Sequence, residues 1–237
     1  MNGTVGGLVK RVRRRAEHAW RSTKTSVLTG GGERVDIDLT RRVREDRLDI
    51  YELSHLHRYR FAVSQIAAGA TVADLACGTG YGSAMLAEEC ATVFGADIDF
   101  SALHAARARY QALGNVSFRC MDLLQFDAEN AYDAIVSFET LEHFAEADLL
   151  KVLDAFRRAL KPHGRLIFST PYLQENSEAA KALGFHRTFL IDESNIDRWL
   201  NSTGYRPISY LYQNYSHHQV VPHLGTRDFV ICIAERR

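Results

Sequence analysis

The sequence predicts an α/β fold: a seven-stranded, mostly parallel sheet with an antiparallel last strand and helices on both faces. Three observations predict it. From residue 71 onward short apolar runs alternate with longer amphipathic segments, the pattern of successive strand, helix, strand units. The last two runs follow each other with no helix between them, which predicts antiparallel pairing. The 237 residues carry 46% apolar and 10% aromatic side chains and only four prolines, so the chain is long and apolar enough to bury one sizeable core.

Taken in order, residues 1 to 25 hold Val5, Leu8, Val9, Val12, Ala16, Ala19 and Trp20 at helical spacing, with arginines between them. This reads as a basic amphipathic helix suited to an anionic membrane surface, or as a solvated or packed tail. Gly30, Gly31 and Gly32 mark a hinge, dividing a 1–32 arm from a 33–237 body that includes N-terminal cap helices. Residues 47–68 place Leu48, Tyr51, Leu53, Leu56, Tyr59, Val63 and Ile66 on a helix. The predicted strands are 71–76, 92–97, 115–120, 132–138, 164–169, 207–213 and 227–233, and the predicted helices between and around them are 81–90, 101–113, 146–160 and 192–203.

Twenty-nine basic residues balance 29 acidic ones, but the sum conceals an asymmetry. Residues 1–25 carry seven Lys and Arg against Glu17, a net of +6, which leaves −6 for the remainder. An acidic body argues against nucleic acid as a partner, because a phosphate backbone needs a basic track. No stretch approaches the roughly 20 apolar residues that span a bilayer, and the N-terminus lacks the apolar centre of a secretory signal. Cys77, Cys90, Cys120 and Cys232 show no metal-binding spacing and are expected to be reduced and buried. A cytoplasmic location follows as an expectation, with peripheral membrane contact through the arm.

The first strand enters DLACGTGYG, residues 74–82, just before a helix. Glycines there permit a tight turn and close approach by a ligand, and the helix N-terminus offers unpaired N–H groups. Asp97 closes the second strand 23 residues after Asp74, near the spacing at which a carboxylate meets ribose hydroxyls in a Rossmann unit. The glycines, Gly78, Gly80 and Gly82, depart from the dinucleotide spacing GxGxxG.

This series resembles the class I S-adenosylmethionine-dependent methyltransferases over most of residues 50–237, and implies a Rossmann-like fold and that cofactor. By resemblance, Asp74, Ala76, Gly78, Gly80 and Tyr81 would hold the methionine part, with Phe138 from the fourth strand. Asp97 and Ile98 would meet the ribose, and Met121, Asp122 and Leu123 the adenine. The residue chemistry agrees, since carboxylates accept ribose O–H and adenine N–H bonds.

After the fourth strand, SFETLEHF supplies Glu139, Glu142 and His143, and GFHRTF supplies His186 further on. ExxEH followed by a later His resembles the metal-dependent methyltransferases of small-RNA 3′ ends. That resemblance implies that Glu139, Glu142, His143 and His186 hold a divalent cation, Mg²⁺ or Mn²⁺, with Glu142, His143 and His186 catalytic. Two other readings stay open: a metal-free base at His143 or His186, as in small-molecule and quinone methyltransferases with LEH, and purely structural roles.

Residues 32–62, GERVDIDLTRRVREDRLDIYELSHLHRYRFA, resemble a GERxxP…EHLxRYxFA leader of methyltransferases in bacterial polysaccharide pathways, with Ser54 where the leader has Glu. The resemblance implies O-methylation of a sugar or glycan acceptor, with His55, Arg58 and Tyr59 over the cofactor or acceptor. Tyr172, Pro171, Phe185 and Arg187 are candidates for the pocket wall. His217, His218 and His223 lie in a loop that faces solvent, the acceptor or a second subunit, so a homodimer is left open.

Overall fold

In a computed structural model of the chain, residues 34–175, 177, 184 and 186–237 are described. The chain divides into two units, Met1–Gly32 and Glu33–Arg237, and every described residue belongs to the second. The predicted basic arm, its glycine hinge and Phe185 lie outside the described residues.

All seven predicted runs are strands: β1 (Thr71–Leu75), β2 (Thr92–Asp97), β3 (Val116–Cys120), β4 (Tyr132–Phe138), β5 (Leu160–Pro171), β6 (Tyr205–Gln213) and β7 (Phe229–Arg236). They form one sheet in the order β3-β2-β1-β4-β5-β7-β6. Pairing is parallel from β3 through β5, while β7 runs antiparallel to both β5 and β6. The predicted reversal is therefore made by β7, inserted between β5 and β6. Strand order changes direction between β1 and β4, and the crevice beyond their carboxyl ends is where open α/β sheets take ligands.

Helices α1 (Ile50–Gln65), α2 (Tyr81–Ala87), α3 (Phe100–Tyr110), α4 (Glu146–Ala159) and α5 (Glu193–Ser202) cover the sheet. Their starts are written locally. Asp49 accepts the N–H groups of Tyr51 and Glu52, both at 2.8 Å, and the Glu52 carboxylate returns to the Asp49 N–H at 2.9 Å. Asp192 and Asn195 form the same reciprocal pair at α5, and Asp99 caps α3 by accepting the N–H groups of Ser101 and Ala102. Each such cap contributes about 1 kcal/mol.

Period-two alternation sends strand side chains to two cores. Ala73, Leu75, Ile135, Leu166, Phe168 and Val230 face α4 and α5 through Leu149, Phe156 and Trp199. Val72, Val93, Val136, Ile167 and Ile231 face α1 and α2 through Leu56, Ala62 and Leu86. Because both faces are covered, the central strands β1, β4 and β7 are buried along most of their length. Cys77, Cys90 and Cys232 are buried and free as expected, but Cys120 is exposed. It ends β3, the edge strand, where one flank has no neighbour, and this corrects the expectation of four buried thiols. Among the described residues, no helix is long and apolar enough to cross a membrane.

Candidate active site

The carboxyl ends of β1, β2 and β4 carry the predicted cofactor residues. After β1 the backbone turns at once: Ala76 takes a left-handed φ of 64°, and the Cys77 N–H is held by the Ala96 carbonyl at 2.9 Å. A non-glycine residue in that conformation stores local strain, a mark of ligand sites that sequence pattern does not reveal. The glycines divide their work. Gly80, φ 80°, allows α3 and β3 to close on the loop, since a Cβ there would lie 2.8 Å from Ala106 and Phe118. Gly82 accepts the Tyr59 ring, which would be 2.0 Å from a Cβ. These two glycines serve close packing. Gly78 serves the turn itself, and its N–H donates to Asp97 Oδ2 at 2.8 Å.

Asp97 stands at the end of β2, its side chain only 9% exposed. Its Oδ1 accepts the Asp99 N–H at 2.8 Å, so the carboxylate is fixed in direction by backbone on both oxygens. Ile98 beside it is 71% exposed, an apolar side chain displayed at the mouth of the crevice. Met121 is anchored to β2 through its N–H and the Asp97 carbonyl at 2.9 Å. Asp122 is exposed and accepts the Leu124 N–H at 3.0 Å, while Leu123 is buried beneath it. Phe138 is buried with its ring edge-on to Tyr59, 5.0 Å between centroids.

Asp74 is placed differently from the expectation. It is fully buried, and its two oxygens accept from Tyr59 at 3.0 Å and Ser83 at 2.6 Å. These bonds tie α1 and α2 to β1, so the carboxylate shapes the loop through its neighbours. Burial pushes its pKa up to about 6, against the opposing hydrogen bonds of Ser83 and Tyr59 and with a smaller push from Asp97. The folded state therefore holds this proton more tightly than the unfolded chain, and stability falls as pH rises from about 4 to about 6. Asp74→Asn removes the buried charge. Its stability relative to the wild type is expected to rise by on the order of 3 kcal/mol between pH 4 and pH 7, read from urea unfolding at both values; an unchanged difference would contradict the assignment.

Helix α1 brings His55, Arg58 and Tyr59 to this edge. Tyr59 is a buried wall of the loop, as its contacts with Gly82 and Asp74 require. His55 Nδ1 lies 2.9 Å from the Tyr81 hydroxyl, and burial, then the Arg58 charge, holds its pKa well below the ordinary value. Arg58 is buried, with its guanidinium 4.2 Å over the Phe229 ring, 2.7 Å from Glu139 and 3.1 Å from Ser169 Oγ. Ser169 also donates to Glu139 at 2.7 Å.

That pairing changes the predicted metal set. Glu139, left-handed with φ 50°, is engaged by Arg58 and Ser169, and removing one partner of such a buried pair costs about 3–5 kcal/mol. Glu142, His143 and His186 do come together: one ligand atom from each lies within 4.8 Å of the others. The two residues from the segment after β4 and the later histidine meet for a local reason. The Glu142 carbonyl accepts the N–H groups of Arg187 at 2.8 Å and Thr188 at 3.1 Å, and Thr188 Oγ1 donates to the Phe144 carbonyl at 2.7 Å. His143 and His186 consequently stand edge to face, 5.0 Å between ring centroids. Gln174 Oε1 lies 2.5 Å from His186 Nδ1. With that carbonyl oxygen accepting from Nδ1–H, Nε2 carries the lone pair.

Other predicted positions fall elsewhere. Tyr172 packs on Tyr212 and donates to Glu193 at 3.1 Å, with Arg227 over the same aromatic pair. His217 and His223 are exposed, and His218 Nδ1 lies 3.0 Å from Ser54 Oγ; none joins the His143 cluster. Sequence reasoning gave no site role to Arg34, Ser169 or Gln174. Arg34 belongs to the GER leader, a signal that was available, whereas Ser169 and Gln174 have no pattern of their own.

Residues 72–164 match a family described as "Methyltransferase domain". The chain is 38% identical over 109 residues to a demethylmenaquinone methyltransferase of Clavibacter sepedonicus, covering 44% of this chain and 43% of that one. It is 32% identical over 105 residues to a ubiquinone biosynthesis O-methyltransferase of Idiomarina loihiensis, covering 43% and 42%. The chain thus spans less than half the length of these curated relatives. In fold it is similar to the N-methyltransferase NodS of Bradyrhizobium japonicum solved with S-adenosyl-L-homocysteine, at a TM-score of 0.62 and 18% identity over 81% of this chain and 89% of that one. The sheet is thus a Rossmann-like fold of the kind found in methyltransferases, and within it residues 72–164 match a methyltransferase domain.

Proposed function

We propose that the protein transfers the methyl group of S-adenosylmethionine to a hydroxyl of an acceptor with vicinal hydroxyls, a sugar or glycan intermediate. The observation that carries this reading is the group Glu142, His143 and His186, whose ligand atoms lie within 4.8 Å of one another beside the cofactor crevice. The cofactor supplies an electrophilic methyl on a sulfonium, open to in-line displacement. The protein's part is to orient the acceptor oxygen and take its proton.

Asp97, with its direction fixed by two backbone N–H groups, accepts the ribose hydroxyls. Ile98 offers an apolar face and Asp122 an acceptor for the adenine amino group. Ala76 and Phe138 border the methionine end. At the acceptor end a neutral imidazole at His143 or His186 takes the hydroxyl proton, and Gln174 holds His186 in the tautomer that permits it.

A divalent cation fits the same residues on the chemistry of the donors. One carboxylate and two imidazoles suit Mn²⁺ better than Mg²⁺, which prefers an all-oxygen shell. Such a cation, held by Glu142, His143 and His186, would lower the pKa of a bound hydroxyl. The commitment of Glu139 to Arg58 makes this a three-residue set in place of the four suggested by the small-RNA resemblance.

A second acceptor class, a dihydroxylated quinol ring, is favoured by the relatives named for quinone pathways. It presents the same paired oxygens. The net charge of −6 over residues 26–237 supports neither class over the other but disfavours RNA. A methyl-transfer assay on sugars, oligosaccharides, quinols and RNA, each with EDTA and with Mn²⁺ restored, tests the reading. Transfer to a sugar hydroxyl that falls at least tenfold in EDTA and returns with Mn²⁺ is expected. Transfer to quinols alone would favour the second class, EDTA-insensitive transfer would leave the histidines as a metal-free pair, and no transfer to any hydroxyl would overturn the proposal.

A further inference from the structure

Residues 34–39 lie along α3 and end on the cofactor loop. At one end Arg34 Nη1 donates to Asp99 at 2.6 Å, and Nη2 stands 3.6 Å from Asp97 Oδ1. The Arg34 side-chain stem runs beside Gly78, 3.9 Å from where a Cβ would be. In the middle Asp36 makes two bonds with Arg109, at 2.5 and 2.9 Å. At the other end Ile37 is buried, the Tyr110 hydroxyl donates to its carbonyl at 3.2 Å, and the Leu39 N–H donates to that hydroxyl, also at 3.2 Å.

The geometry is that of a strap laid from the N-cap of α3 to its last residue. Five steps of extended chain cover about 16 Å, and an 11-residue helix is about as long, near 16 Å. Its anchorage is uneven. One apolar side chain, Ile37, is buried, Val35 and Leu39 pack on the same core while partly exposed, and the other ties are hydrogen bonds and ion pairs at half-exposed positions, each weak in water. Arg34, by contrast, engages two carboxylates that repel one another, and one of them is the carboxylate directed at the ribose.

We infer that this segment is a closing strap over the cofactor site, and that Arg34 is a positioning residue that fixes Asp97 and holds the strap shut while the cofactor is bound. The inference rests on the proposed cofactor role of Asp97. Entry and departure of the cofactor then require the strap to lift from α3. Arg34 acts at the latch, whereas Arg109 ties the middle of the strap to α3 through Asp36, which also interacts with Thr79 of the loop.

Stopped-flow binding of S-adenosyl-L-homocysteine to the full chain tests this with Arg34→Ala, Arg34→Lys and Arg109→Ala. Arg34→Ala is expected to speed dissociation at least tenfold, with Arg34→Lys restoring part of the difference because it keeps the cation beside Asp99. Arg109→Ala is expected to speed association and dissociation alike, about fivefold each, leaving Kd within twofold. That paired change is the signature of a cover, since a merely loosened fold would weaken binding without faster entry. If the wild type binds and Arg34→Ala and Arg109→Ala both keep wild-type rates, or if Arg34→Ala binds more tightly, the strap is overturned while the cofactor reading stands. Absence of any saturable binding by the wild type would overturn both.

Discussion

His143→Ala is expected to lower the rate of methyl transfer by a factor of about 10² or more, the range lost when a positioned acid–base group is removed, while S-adenosyl-L-homocysteine binds within about threefold of wild type. The split follows from place. His143 lies after β4 with Glu142 and His186, whereas the proposed cofactor contacts come from β1, β2 and the turn after β3. His186→Ala and Glu142→Gln are expected to behave alike, and because the three residues act as a unit the double variant His143→Ala with His186→Ala should be little worse than either single one. Thermal melts of each variant separate this from unfolding, a needed control for Glu142, which is buried and whose carbonyl holds the Arg187 segment. Retained turnover in all three variants would remove the cluster from the chemistry.

Asp97→Ala is expected to weaken S-adenosyl-L-homocysteine binding about a hundredfold or more. A charge-assisted hydrogen bond contributes roughly 1.5–3 kcal/mol, two ribose hydroxyls are at stake, and the Gly78 and Asp99 N–H groups lose their acceptor as well. Isothermal titration measures it directly. Asp99→Asn is the matched control, because Asn preserves the cap on α3 and removes only the Arg34 ion pair. Its loss should be several-fold at most. Equal losses in the two variants would mean that Asp99 is the ribose carboxylate.

The sheet was legible because its signals are local. Each strand, five to twelve residues long, contains a short apolar run, and the absence of a helix between the runs that became β6 and β7 announced the reversal. The positions of Asp97, Ile98 and Met121 on the sheet edge were legible for a similar reason, since the carboxyl ends of parallel strands lie on one edge whatever the packing beneath. Side-chain pairing across long separations was not legible. Arg58 meets Glu139 across 81 positions and Arg34 meets Asp99 across 65, and nothing in either neighbourhood marks the partner. The small-RNA resemblance therefore placed Glu139 in a metal set, although a buried guanidinium 2.7 Å away engages its carboxylate. Asp74 teaches the same lesson: its position in the motif suggests a ligand contact, but it is fully buried and bonded to Tyr59 and Ser83.

The central claim is that the crevice between β1 and β4 holds S-adenosylmethionine, and calorimetric titration of the full chain with that cofactor tests it most directly. Saturable binding at one site per chain, at micromolar concentration and weakened by Asp97→Ala, is the expected result. No heat of binding at millimolar cofactor from folded protein would contradict the account.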